Sequence, residues 1–261
     1  MSRKKSKQIE MKTQITIEER IEFIKSIDLP EMPKGNKKAI IFTDDKDSAY
    51  VNDGNITGML GVTNQQKEDL LNSQLLAQLA ANKKFDRFTD SENWYKNYVS
   101  VLENIAWVLG AFDFKKYQSQ SSTFTISEVT ITTLLSIITK TSPILKFAEG
   151  VIVSIGDEKN KEALLKFSQN SMSSESGNFQ ALASYIDPEL KTLCAAFSGS
   201  HFKVEKSQHV GPCSSYESSK ITMFASAQIL TLDEVIYAKI RKEIIDKLGD
   251  RVKQYVSEIE I

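Results

Sequence analysis

Apolar residues recur at helical spacing through the first half of the chain and then, beyond about Leu164, at a spacing nearer two. That change of period limits the fold more than any other feature. Behind a capping box formed by Thr63 and Gln66, Leu70, Leu71, Leu75, Leu76 and Leu79 share one face and predict a helix to about Ala81. Trp94, Tyr98, Val101, Leu102, Ile105 and Leu109 mark a second helix, starting near Asp90, whose stripe belongs in a core. A shorter helix opens at Thr16 and Glu19, carries Ile17, Ile21, Ile24 and Ile27, and is closed by Pro30 and Pro33. The apolar run Ala39 to Phe42 and the Asp53-Gly54 turn between two short extended pieces predict a small hairpin. Phe112 to Tyr117 alternates and reads as a strand. Further extended candidates are Leu164 to Asn170, Phe179 to Tyr185, Leu193 to Val204 and Lys220 to Ile229, joined by Ser- and Gly-rich connections short enough for an antiparallel meander. Thr231 and Glu234 supply a last capping box, opening a helix that Gly249 ends, and an amphipathic segment follows from Asp250 to Ile261.

Helices, then strands, then helices describe an α+β fold: an antiparallel β-sheet, with the meander in the C-terminal half, covered by α-helices in a single domain. Residues 1–15 read as a flexible basic tail, 16–62 as a loosely attached helix and hairpin, and 63–261 as the α+β domain. The chain has 261 residues, 41% hydrophobic and 26% charged, enough to bury a substantial core. Net charge is -1, so no global field draws nucleic acid or an anionic membrane. The segment Arg3 to Lys12 nevertheless carries +4 and the remainder -5. It reads as a solvated tail, with weak contact to anionic lipid or nucleic acid as the functional alternative. No apolar run of signal-peptide length follows it, so the expectation is a cytoplasmic protein, or one exported without a classical signal peptide. The sequon at Asn55-Ile56-Thr57 would then go unused.

Chemistry-bearing residues are scarce. Two cysteines, Cys194 and Cys213, and two histidines, His201 and His209, would all be needed for one zinc site, and their local spacings do not suit it. Gly211-Pro212 breaks the helix that would align His209 with Cys213, and neither an orienting acid nor an oxyanion device accompanies them. Ser200 lacks a nucleophile elbow and reads as a strand-edge or turn serine. No phosphate loop or dinucleotide glycine pattern is present, and Asp44, Asp45 and Asp47 lack the rest of a calcium loop. Cys194 reads as a buried small hydrophobe, whereas Cys213 lies in a polar segment where a thiol is reachable. The expectation is a protein without enzymatic activity, metal or cofactor.

Ile126 to Ile155 is the exception to this blandness. It carries only Glu128, Lys140, Lys146 and Glu149 as charges and is broken by Thr141-Ser142-Pro143, predicting two apolar helices with Ser142 as cap and Pro143 at the first helical position. Pro143 to Ile155 reaches only about 20 Å at ~1.5 Å per residue, short of the ~30 Å hydrocarbon core. A buried central helix is one reading. The others are an acyl-chain pocket, with Ile144, Phe147, Val151 and Ile152 as lipid-lining candidates, or a hairpin that inserts in lipid after leaving the body.

The segments Lys67 to Asn82, Asn93 to Trp107, Ser176 to Gln180 and Thr231 to Leu248 resemble a set of uncharacterised microbial proteins similar in outline to the Erwinia virulence factor Evf. The resemblance covers roughly Thr63 to Ile261. It implies an α+β fold and a cysteine carrying thioester-linked palmitate that brings the protein to membranes, and Cys213 is the candidate lipidation site. A single chain gives only reversible membrane association at ~0.8 kcal/mol per buried methylene, so the basic tail would be the second signal. The function expected is a non-enzymatic, virulence-type or host-interacting protein, associated with membrane lipid through an acylated cysteine or apolar pocket. The alternative is a self-assembling structural or storage protein, a homo-oligomer for which low net charge weakens repulsion between protomers.

Overall fold

The computed structural model describes residues 15–32, 47–110, 112–118, 121–139, 142–204 and 215–261. The helices are α1 (Ile17–Ser26), α2 (Asn64–Lys84), α3 (Ser91–Asn104), α4 (Ile126–Leu134), α5 (Pro143–Ser154), α6 (Lys161–Ser171), α7 (Glu234–Leu248) and α8 (Val252–Tyr255). The strands are β1 (Ser48–Asn52), β2 (Asn55–Met59), β3 (Trp107–Val108), β4 (Lys115–Lys116), β5 (Thr123–Thr125), β6 (Ser176–Ile186), β7 (Leu193–Val204), β8 (Ser215–Glu217), β9 (Ile221–Leu232) and β10 (Val256–Ile259).

The main sheet runs β10-β1-β2-β6-β7-β9-β3, with β4 also on β9, while β5 and β8 pair separately. Every pairing is antiparallel except β2 with β6. The expected α+β fold with a C-terminal meander is therefore present as β6-β7-β9, three long strands. Alternation along them sends Leu182, Phe197 and Leu230 into a core shared with α1, α2, α3 and α7. Their neighbours Ala183 and Ala196 face α4 and α5, and Phe179, Phe202 and Met223 pack with α6 and its surroundings. The sheet is thus the middle of three layers.

The capping boxes at Thr16 and Thr63 form as expected. So does the Asp53-Gly54 turn, where Asp53 takes a positive φ of 55°. The hairpin expected to be loosely attached is instead built into the sheet, between β10 and β6. Leu164 to Asn170, expected to be extended, belongs to helix α6, because Ala163, Phe167 and Ser171 repeat at intervals of four and are the positions buried. The last capping box is not made: Thr231 pairs with Cys194 and Val108 inside the sheet, and Asp233 caps α7 by accepting from Ile236 N. Of the alternating stretch near Phe112, only Lys115 and Lys116 pair. The amphipathic C-terminal segment supplies the edge strand β10. The basic tail and Ala39 to Phe42 lie outside the described residues.

Candidate functional site

The α4–α5 layer is apolar by sequence and is held mainly by apolar contacts, with one polar tie where Asn160 Nδ2 donates to the Ser154 carbonyl at the end of α5 and to the Glu260 carbonyl. Thr125 accepts from Glu128 N while the Glu128 carboxylate accepts from Thr125 N, starting α4, and Pro143 starts α5. On α5, Ile144, Leu145, Ala148, Val151 and Ile152 form the buried face. Small residues on the sheet let it sit close: Ala183 and Ala196 lie under it, and a Cβ on Gly58 would stand 2.8 Å from the Phe147 ring. Among the described residues, the side-chain hydrogen bonds made by α4 stay within the helix and its cap. The four lipid-lining candidates are part of this packing, with Ile144, Val151 and Ile152 buried and Phe147 half-buried. A cavity beside Ile152, also bordered by Ile56, Ile126, Ile155 and Phe167, measures about 10 Å³. That is at most the ~10–15 Å³ that holds a single water, and far too small for an acyl chain.

The opposite layer is tied down by polar groups. Arg87 lies between α2 and α3 and donates through Nη1 to Asp53 Oδ2 at 3.0 Å and to the Asn170 carbonyl at 2.8 Å. Its guanidinium sits 4.7 Å from the Trp94 ring centroid and occupies the space a Cβ on Gly54 would fill. Trp94 Nε1 donates to Asn82 at 2.7 Å, and Asn82 donates to Asp53 at 3.3 Å. Burial pushes the Asp53 carboxyl up, with Arg87, Asn82 and the Gly54 N–H opposing. Gln74 accepts from Thr57 at 2.8 Å, and Gln78 bridges Gly54 N and the Asn52 carbonyl. Arg241 grips Asp69 with two 2.8 Å bonds. Removing this layer would strand buried charges and amides, whereas removing α4 and α5 would expose mainly hydrocarbon.

On the α3 side of the sheet, a cavity of about 570 Å³ is bordered by Tyr95, Val99, Phe112, Phe114, His201 and Phe224, with Glu92 and Lys96 at its rim. His201 and Phe224 are register partners on β7 and β9, and their rings stack at 5.1 Å and 13°. Phe114 meets His201 edge-on at 5.1 Å and Tyr95 at 4.5 Å. The Tyr95 hydroxyl is already used, accepting from Gln180 at 2.8 Å and donating to the Phe179 carbonyl at 3.2 Å. Burial pushes the His201 imidazole down, Lys203 adds to this, and Glu92 opposes it. Neither His201 nor this cavity is a candidate site in the sequence, where Phe112 to Tyr117 reads only as a strand.

Cys194 is buried, with Sγ 3.5 Å from Thr231 Oγ1, and burial pushes its thiol up. Ser200 lies in the middle of β7, fully buried, rather than at a strand edge or turn, because β7 continues through it to Val204. Cys213 and His209 lie outside the described residues. Among the described residues, no group of three or more His, Cys, Asp or Glu side chains is arranged to hold a metal, and no helix is long and apolar enough to cross a membrane.

These features define a three-layer α+β protein. No protein-family model matches the chain. No curated protein matches it either. Among solved structures, a delta-endotoxin is similar with a TM-score of 0.42 and 12% identity, over 78% of this chain and 90% of that one. The Evf virulence factor is similar with a TM-score of 0.32 and 12% identity, over 75% of this chain and 73% of that one. The resemblance noted in the sequence thus has a weak structural counterpart, and both likenesses are too distant to bear on function.

Proposed function

We propose that this chain is a non-enzymatic protein that associates with membranes by offering its α4–α5 layer to lipid, in the virulence-type or host-interacting setting that the sequence resemblance implies. The observation that supports this is the asymmetry between the two helical layers. One is bound to the sheet by the buried Arg87–Asp53 pair and by the Gln74, Gln78 and Asn178 amides; the other is bound mainly by side chains such as Leu134, Ile144, Leu145 and Ile152. Apolar contacts of that kind can be exchanged for acyl chains at little cost, because hydrocarbon replaces hydrocarbon. The sheet face left behind carries Phe179, Ala181, Ala183 and Ala196, which lipid also covers. A palmitoyl chain on Cys213 would reinforce the same association, and intact-mass measurement on protein from its native host tests for it.

The test places an environment-sensitive dye at Val153 on α5 or at Val235 on α7, positions 66% and 71% exposed, in a Cys194→Ala, Cys213→Ser background. Phosphatidylcholine–phosphatidylglycerol vesicles are then added. The expected result is flotation with the vesicles and a blue shift at Val153 alone. No flotation, or a shift confined to Val235, overturns the reading.

A further inference from the structure

We infer that the aromatic cavity under α3 is a binding site for an uncharged, planar aromatic molecule bearing one hydroxyl or ring nitrogen that hydrogen-bonds to His201. The cavity lies on the face of the sheet opposite α4 and α5, so the inference stands apart from the membrane reading.

Three observations carry it. The first is size and lining: about 570 Å³ falls within the ~300–1,000 Å³ of small-molecule sites, and the walls are mainly aromatic with few polar groups. Phe112, Phe114 and Phe224 are only half-buried, so ring surface remains uncovered and faces the cavity. A flat ring can meet these rings in the offset or edge-on arrangements that they already adopt with one another.

The second is charge. Glu92 and Lys96 are the ionic groups on the rim, one turn apart on α3, and they neutralise each other at 2.6 Å. His201 is held towards its neutral form by burial and by Lys203. The charges in the lining therefore cancel, and a charged ligand gains from one member of the pair no more than it loses to the other while giving up its hydration among aromatic walls. The third is an unfilled hydrogen-bonding capacity. A neutral imidazole has one donor and one acceptor nitrogen, and neither has a hydrogen-bond partner among the described residues. Tyr95 cannot compete for a ligand, because its hydroxyl is committed to Gln180 and the Phe179 carbonyl.

The experiment compares three probes built on one ring system: 1-naphthol, 1-naphthoate and 1-naphthyltrimethylammonium. Each is titrated into the full chain in a His209→Gln background, so that His201 is the sole imidazole in the NMR spectrum. Naphthol is expected to shift the His201 ring signals and to bind at least tenfold tighter than either charged probe. Val99→Trp fills the cavity from its α3 wall and is expected to weaken naphthol at least tenfold. Leu165→Trp, on the exposed side of α6, adds the same indole elsewhere and is expected to leave binding unchanged. Thermal melts of both variants confirm that they are folded. The inference is overturned if naphthol leaves His201 unmoved at millimolar concentration, if a charged probe binds as tightly, or if a folded Val99→Trp binds as well as Leu165→Trp.

Discussion

Replacing Arg87 by Met tests the polar side of the asymmetry. The guanidinium and the Asp53 carboxylate are both buried, at 6% and 3% side-chain exposure. In Arg87→Met the carboxylate keeps only the Asn82 amide and the Gly54 N–H. Breaking a buried pair from one side costs about 3 to 5 kcal/mol, far more than an exposed pair would. The loss of the Asn170 bond and of the cation over Trp94 acts in the same direction. Asp53→Asn in the same chain should recover roughly half, since Asn removes the stranded charge and tolerates the positive φ at this turn. The pH dependence adds a sign. Without Arg87, burial is opposed only by the Asn82 and Gly54 hydrogen bonds, so the folded pKa of Asp53 stands further above the unfolded value. Stability from that group is then present at low pH and lost as pH rises through the folded pKa. Urea unfolding between pH 4 and pH 7 should show Arg87→Met becoming less stable relative to wild type as pH rises, and Arg87→Met/Asp53→Asn losing that trend. A cost below about 1 kcal/mol with no pH trend would refute the claim that this layer is held by a buried charge pair.

Trp94→Ala should cost about 3 to 5 kcal/mol in the same assay, because the fully buried ring stacks on Tyr98 at 5.4 Å and its removal leaves Asn82 Oδ1 without its donor. Gly58→Val should lower the melting temperature and increase vesicle flotation together, since its side chain would collide with Phe147 and Val151 and push α5 off the sheet, at about 1 to 3 kcal/mol. His201 has a depressed folded pKa, so below about pH 6.5 the unfolded chain gains a proton that the native state resists; stability should fall as pH drops through that window, and His201→Phe should flatten the fall.

Local features of this fold were legible where one short segment decided them. The Thr63–Gln66 box, the Trp94 to Ile105 stripe, the Asp53-Gly54 turn and Pro143 at the start of α5 are all settled by residues within a turn or two of each other. Where two local readings competed, tertiary pairing chose between them. Thr231 and Glu234 predict a capping box, but the sheet takes Thr231 through its pairing with Cys194, and Asp233 does the capping. The window Leu164 to Asn170 is too short for its period to separate strand from helix; burial of Ala163, Phe167 and Ser171 separates them. What could not be read is what depends on distant segments meeting. The parallel pairing of Asn55 with Gln180 puts the early hairpin inside the sheet, and the cavity draws on α3, the Phe112–Phe114 segment, β7 and β9. None of its residues stands out alone, because an aromatic among apolar neighbours is ordinary core until its open face is known.

The direction of opening that the proposed function requires follows from the alternation of the strands. Along β6, Asn178, Gln180 and Ser184 occupy one phase, and Phe179, Ala181 and Ala183 the other. Asn178 donates to the Arg87 carbonyl and Gln180 to Tyr95 and Asn178, so the first phase is bonded to the polar network beneath α2 and α3. Its separation from that layer would leave amides and a charged pair without partners, at several kcal/mol for the pair alone. The second phase meets α4, α5 and α6 through carbon. Separation there would cost area in water, roughly 25 cal/mol per Å² of apolar surface, a cost that lipid in place of the helices would offset. On the proposed function, both layers hold in water and only the bonded one must hold beside a bilayer. A single-residue register slip in β6 would exchange the two phases, turning Gln180 towards α5 and Phe179 towards the Arg87 network.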